Sequence, residues 1–408
     1  MHVLFLAPEH PAPHRDFVRA LKRVGARVSG IGHHAARGLD AELRSWLDGY
    51  ERVGSLFAPQ EVADAARRLA GRSGFDRVEA VDEMLILAAA RLRGALGVPG
   101  LSIETATLCR DKAAMKEALR AGGVPCAESA AVASRAEAFA FAERVGYPLI
   151  VKPRAGLGAQ KTYRVAEPRG LTRALAALKV GEGGAAAVEE FVEGHEGFYD
   201  TLTVGGEVRH EFICHYYPNV LVAMGDRRIS PQIAATNRVA APGYGELLEL
   251  GRRVLGLLGL ETTATHMEWF FGPRGLKFSE IGARPPGERL WDLHSVGNEM
   301  DLYREWALAV IGGRAEQTPS RRFASGSVQV RPDRDGRISA YRGLDEVWRT
   351  CRQWLTASSV PPPGTPTRPL RLGYLVNAWF RLRHPDYDRL RAMMEFIGET
   401  VKVQAEAA

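Results

Sequence analysis

Two acids near the middle of the chain offer the most informative chemistry. Glu268 and Glu280 lie in THMEWFFGPRGLKFSEIGARPPG (265–287), which reads as two strands about a turn. A two-residue loop at Pro273-Arg274 would put the two acids on opposite faces of the hairpin. A three-residue loop at Pro273-Arg274-Gly275 pairs Gly272 with Leu276 and sets Glu268 directly opposite Glu280. Gly275 suits the left-handed position that closes such a loop, so the three-residue loop is the expectation. His266, Glu268, Glu280, Gly282 and Arg284 then share one face. Facing carboxylates repel unless a proton or cation intervenes. An oxygen-only pair suits Mg²⁺, which keeps water and substrate phosphates as its other ligands. The competing reading is two solvated acids on a surface strand. The apolar neighbours Met267, Trp269, Phe270, Phe271 and Phe278 favour burial, and buried acids need partners.

A second set of residues suits phosphate. Lys152 ends an apolar strand and precedes a loop holding Gly156 and Gly158. A strand-borne lysine beside flexible backbone can meet a phosphate. The loop lacks the G-x-x-x-x-G-K-[ST] pattern, so it is no P-loop, and an ordinary turn beside a solvent-reaching lysine would look the same. Glu189-Glu190 before Phe191 closes an apolar strand, a place where acids are usually solvated.

These residues need elements to position them. The first hundred residues alternate strand and helix: strands at Val3 to Ala7, Ala26 to Ile31 and Arg77 to Ala80, helices at Asp16 to Val24 and Gln60 to Ala70. That alternation predicts a small parallel α/β domain. No G-x-G-x-x-G follows the first strand, so no dinucleotide site is expected there. DKAAMKEALRA (111–121) is rich in helix formers and stops at Gly122-Gly123. A helix from Ser134 to Val145, strands Pro148 to Pro153 and Lys161 to Val165, a helix from Arg169 to Lys179 and a strand at 185–192 follow. Gly205-Gly206 joins Tyr199 to Val204 and Val208 to Tyr216 as a hairpin. Beyond a helix from Tyr244 to Leu258, the last ninety residues give strands Gly326 to Arg331 and Leu372 to Phe380, a Pro-rich loop at 361–369 and a helix from Tyr387 to Ile397.

Composition excludes several classes. The 408 residues are 46% hydrophobic, enough for more than one core. No apolar run reaches membrane length, and the N-terminal apolar run lacks a signal peptide's basic flank. Cys109, Cys126, Cys214 and Cys351 are scattered without metal spacing, which suits a reduced, cytoplasmic protein. A net charge of +6, with acids and bases interspersed, does not point to nucleic acid.

Taken together, CRDKAAMKEAL (109–119), YPLIVKPRAGLGAQ (147–160), VEEFVEGHE (188–196) and HMEWFF…KFSEIGARPPG (266–287) resemble the ATP-grasp superfamily over roughly residues 105–312. The set is specific although no single motif is. The chain looks most like the carboxylate–amine ligase branch, which includes L-amino acid ligases. The resemblance implies a mixed α/β and α+β chain: an N-terminal parallel α/β domain (1–105), a small lobe and lid (106–188), an antiparallel catalytic lobe with the metal site (189–312) and a small C-terminal domain (313–408). It implies ATP and Mg²⁺ as cofactors, with Mn²⁺ as the alternative metal. Lys112 and Lys152 would contact the ATP phosphates from opposite lobes, under a lid at 154–160 that carries Gly156 and Gly158. Glu189, Phe191 and Val192 would line the adenine site, with backbone groups of the segment from Glu190 to Val192 reading the base. Glu196 would bind the ribose, Glu268 and Glu280 the metal, and Arg284 the acyl phosphate. Two departures stand out. Gly282 replaces the family's metal-strand Asn, which leaves one metal or two open, and the lid reads Gly158-Ala159-Gln160-Lys161 in place of a small polar residue.

The implied reaction activates a carboxylate as an acyl phosphate and joins it to an amine, with small-molecule partners and a homodimer in keeping with the family. Arg289, His266 and Tyr216 are candidate substrate contacts. His215 and Tyr217 are grouped with Tyr216, and Trp291, Asp292 and His294 are candidates for amine recognition. Each also reads as ordinary packing or surface contact. Two other functions remain: carboxylation or formylation of a nucleotide amine on the same fold, and a non-catalytic ATP-binding regulator. Both lysines and both acids count against the last.

Overall fold

The computed structural model describes residues 1–154, 161–287, 289–372 and 377–407, leaving aside the side chain of residue 371. Gly156 and Gly158 lie outside these residues, as does most of the expected lid. The N-terminal part is a four-stranded parallel sheet in the order Gly49–Arg52, Arg27–Gly32, His2–Leu6, Arg77–Glu79. Its strand HVLFL is buried at every position, as a parallel strand covered on both faces requires. The helix His14–Arg23 lies against the later helix Leu302–Gly312. There Phe17, Trp291, Tyr303 and Trp306 form one aromatic core.

A second sheet, antiparallel, runs Ser129–Val132, Ala186–Glu190, Leu149–Pro153, Tyr163–Val165. Two helices cover it. The first, Arg135–Val145, opens with a capping box between Ser134 and Glu137. The second is Pro168–Ala177. The helix Lys112–Ala121 starts where the Asp111 side chain accepts hydrogen bonds from the Ala113 and Ala114 amides. The Lys112 amide donates to Arg154 O at 3.2 Å, and Arg154 pairs with Asp111. The helix start is thereby tied to the end of the strand that carries Lys152.

The third sheet has eight antiparallel strands. Their order is Gly275–Gly282, Thr263–Gly272, His195–Val204, Glu207–Tyr217, Gln232–Ala235, Ala324–Val330, Ala378–His384, Leu355–Ser359. The expected boundary at 312/313 therefore falls between strands of one sheet. The C-terminal strand begins at Ala378, not Leu372. Leu372 sits in a short 3-10 turn, and residues 373–376 lie outside the described set.

The acid-bearing hairpin corrects one expectation. Its loop has two residues, with Gly272 paired to Gly275, not three. Gly275 has φ +76°, so it does take the left-handed conformation, but inside the second strand. Glu268 still lies opposite Glu280, because the register shifts between Trp269–Phe278 and Glu268–Glu280. Ser279 is the extra residue of a bulge. Without it, Leu276, Phe278 and Glu280 would share one face, and that face is the core. The bulge keeps Phe278 buried beside Trp269 and turns Glu280 out to meet Glu268. Burying a side chain such as Phe278 contributes roughly 2 kcal/mol, which locks the register on the core side.

Candidate active site

Three lysines and two acids meet where the second sheet faces the hairpin. Lys112 Nζ lies 3.3 Å from Glu280 Oε2, and Lys152 Nζ lies 3.5 Å from the same oxygen. Lys152 Nζ is also 3.0 Å from Glu189 Oε2, which Lys116 Nζ approaches at 2.7 Å. The geometry thus brings Lys112 and Lys152 to one point from a helix and a strand whose ends are bonded together, not from opposite lobes as expected. It adds Lys116, which sequence reasoning missed. The signal for Lys116 was its spacing four residues beyond Lys112 on a helix.

The acids carry unequal charge. Burial raises the Glu268 carboxyl to about 7, and repulsion from Glu280 and Glu196 adds to it. Burial also acts on Glu280, but Lys112, Lys152 and Lys116 outweigh it and hold that carboxyl at about 2. Glu268 therefore sits unneutralised beside a firmly ionised partner. A divalent cation between them would answer that. Among the described residues no group of three or more His, Cys, Asp or Glu side chains could hold a metal ion. The donor set here is two carboxylates, which fits a Mg²⁺ whose other ligands are phosphate and water.

The nucleotide-side residues are placed as follows. Glu189 is buried, and its carboxylate is turned to Lys116 and Lys152. Glu190 pairs with Arg274 and, at 3.3 Å, with Lys277, and accepts from the Glu128 amide at 3.1 Å. Arg164 lies over the Phe191 ring at 4.7 Å, and the Phe191 amide donates to Pro148 O. Val192 follows, half-buried, beyond the strand end. Glu196 is buried and accepts from the Val220 amide at 2.7 Å. Burial raises its carboxyl to about 7, against the pull of that hydrogen bond.

On the hairpin side, Arg284 Nε donates to Glu83 Oε2 at 2.8 Å, and Arg110 donates to Glu83 Oε1 at 2.7 Å. The Gly282 departure has a spatial reason. A Cβ at 282 would lie 2.6 Å from Glu83 Oε2, so Glu83 occupies the space a larger residue would need. No local pattern links Glu83 to Arg284, which is 201 positions away. His266 Nδ1 bonds Asp200 Oδ1 at 2.7 Å, and its Nε2 lies 3.8 Å from Glu268 Oε1. His294, fully buried and stacked on Phe212, bonds Asp200 Oδ2 at 2.7 Å. Burial pushes the Asp200 carboxyl up, but both imidazoles outweigh it and hold it low. Asp200 was also missed, although a carboxylate inside the apolar strand FYDTLTV must have partners.

The remaining candidates spread out. Tyr216 is buried beside Phe198, whose ring is 4.8 Å from His266, so it lies on the acid face of the sheet. His215 and Tyr217 alternate to the other face. There His215 bonds His195 at 2.9 Å and Tyr244 at 2.8 Å, so the three residues do not line one pocket. Arg289 pairs with Asp16 at 2.7 Å and Asp292 at 3.4 Å. Asp292 also takes Arg381 at 2.8 Å and the Tyr303 hydroxyl at 2.8 Å. Trp291 belongs to the aromatic core.

Residues 111–195 match the family model described as the ATP binding domain of the carbamoyl-phosphate synthase L chain. The chain shares its fold with an L-amino acid ligase from Bacillus licheniformis: TM-score 0.77 at 17% identity, over 99% of this chain and 98% of that one. It also resembles N5-carboxyaminoimidazole ribonucleotide synthetase from Thermotoga maritima, with TM-score 0.71 at 15% identity over 99% of both chains. With lysines from two elements meeting a carboxylate hairpin, the chain has the fold of the ATP-grasp class. Within that class its sequence is 30% identical over 220 residues to the L-arginine-specific L-amino acid ligase of Bacillus subtilis. That match spans about half of each chain, 52%. No helix among the described residues is long and apolar enough to cross a membrane.

Proposed function

We propose that the protein is an ATP-dependent carboxylate–amine ligase, forming an amide or peptide bond through an acyl phosphate. The observation that carries this reading is the meeting of Lys112 and Lys152 at Glu280, directly opposite Glu268. The likeness to the L-arginine-specific L-amino acid ligase supports an amino acid as one substrate.

A carboxylate is a poor acyl donor because oxide is a poor leaving group. In the proposed reaction a substrate carboxylate oxygen attacks the γ-phosphorus, and ADP leaves. The amine then attacks the acyl carbon, and phosphate leaves with one former carboxylate oxygen. The protein's part is positioning and charge neutralisation. Lys112 and Lys152 place positive charge where the transferring phosphoryl group develops negative charge. Glu268 and Glu280 would hold Mg²⁺, which neutralises phosphate charge when bound. Arg284, fixed by Glu83, would face the acyl phosphate, and Glu196 the ribose. Glu189, Glu190, Phe191 and Val192 would border the base. His266, held by Asp200, stands beside Glu268, and with Tyr216 it lines the acid face where substrate would lie. We assign Arg289 an outer role, because Asp16 and Asp292 engage its guanidinium.

The test is ADP release from Mg²⁺-ATP over a panel of amino acids, singly and in pairs. Bicarbonate with aminoimidazole ribonucleotide forms a control arm, given the likeness to the ribonucleotide synthetase. Release that needs one acid and one amine, with a product mass equal to their condensation, is the expected result. Release in the control arm alone would move the protein to nucleotide-amine chemistry. ATP binding without release in any arm would support a regulator.

A further inference from the structure

One ammonium in the cluster has no part in the chemistry above. Lys116 is 1% exposed, on the turn of helix after Lys112. Its Nζ shares Glu189 Oε2 with Lys152, at 2.7 and 3.0 Å. Lys152 in turn shares Glu280 Oε2 with Lys112, at 3.5 and 3.3 Å. Charges therefore alternate along Lys116, Glu189, Lys152, Glu280 and Lys112, with three ammonium groups to two carboxylates. A fully buried lysine is costly unless paired, and a serine, alanine or leucine at this helix position would avoid that cost.

We propose that Lys116 is a positioning residue for the phosphate-binding lysines, holding Glu189 so that Lys152 keeps surplus charge for a nucleotide polyphosphate. The inference rests on the ATP-dependent reading above. Without Lys116, Glu189 keeps the Lys152 ion pair at 3.0 Å. Lys152 would then be drawn wholly onto Glu189, and the cluster would fall to two ammonium groups against two carboxylates. Glu268 also acts on Lys152, but its charge is the one a bound cation would answer. Lys116 thus never needs to touch the nucleotide. It acts through Glu189 on Lys152.

The experiment compares wild type, Lys116→Met and Lys116→Met/Glu189→Gln, measuring MgADP and adenosine binding by calorimetry, with thermal melts as the check on folding. Methionine keeps the length of the side chain and removes its charge. The expected result is a loss of MgADP affinity of about tenfold or more in Lys116→Met, as when one member of a buried charge pair is removed. Adenosine, which carries no phosphate, should bind both proteins alike. The double variant strands no carboxylate, so its ratio of MgADP to adenosine affinity should return to within about threefold of the wild-type ratio, whatever Glu189 itself contributes at the base. It also carries the test if Lys116→Met fails to fold. Equal losses for MgADP and adenosine, an unchanged MgADP affinity, or a double variant no better than the single would each overturn the proposal. Wild type that binds no MgADP would instead refute the ATP-dependent reading itself.

Discussion

Replacing Glu268 by Gln should make the metal-free protein more stable at alkaline pH while weakening its response to metal. Burial, then Glu280 and Glu196, lift the Glu268 carboxyl from 4.5 to about 7. That displacement corresponds to about 3 kcal/mol. The folded value lies above the unfolded one, so between them the folded chain holds a proton the unfolded chain has shed. The destabilisation therefore begins as pH rises past about 4.5 and is complete above about 7. Glutamine has the same shape without the charge. Glu268→Gln should gain up to about 3 kcal/mol at pH 8 and nothing at pH 4, read as thermal midpoints across that range. Adding Mg²⁺ with ADP should raise the wild-type midpoint at pH 8 and raise that of the variant less. A variant no more stable than wild type at pH 8, or a gap of equal size at pH 4 and pH 8, would refute the assignment of a strained carboxylate. Such a site trades stability for a place to bind a cation.

Two further changes probe neighbouring parts of the site. Lys152→Met should cut turnover by about 10²–10³-fold, the usual cost of losing one electrostatic stabiliser, measured as ADP release at saturating substrates. Asp200→Asn should lower stability by about 1.5–3 kcal/mol, because a neutral amide replaces the charged acceptor of two buried imidazoles. An unchanged denaturation midpoint in that variant would show that His266 and His294 do not depend on Asp200.

Much of the fold is local and was legible. The alternation of strand and helix before residue 80, the helices at 111–121 and 134–145 and the Gly205-Gly206 hairpin all follow from nearby residues. The facing of Glu268 and Glu280 was anticipated, but through the wrong turn. A two-residue loop plus a bulge gives the same pairing as a three-residue loop, and residue counting cannot separate them. Sheet membership was harder. Nothing near Ala324–Val330 or Ala378–His384 says that these strands extend the sheet that carries the acids. Glu83 was invisible for the same reason, since its partner Arg284 is distant in sequence and its signature is the small size of Gly282. Lys116 and Asp200 were legible in principle. A lysine on a buried helix stripe and an aspartate in an apolar strand each demand a partner, and following that demand would have found them.

The most direct measurement is the fate of oxygen. Carboxylate substrate labelled with ¹⁸O, identified from the amino acid panel, would be turned over with Mg²⁺-ATP and amine, and the inorganic phosphate analysed by mass spectrometry. Activation through an acyl phosphate predicts one ¹⁸O in each phosphate released with amide. Amide formed with unlabelled phosphate would contradict the account, because no bond from carboxylate oxygen to phosphorus would have formed.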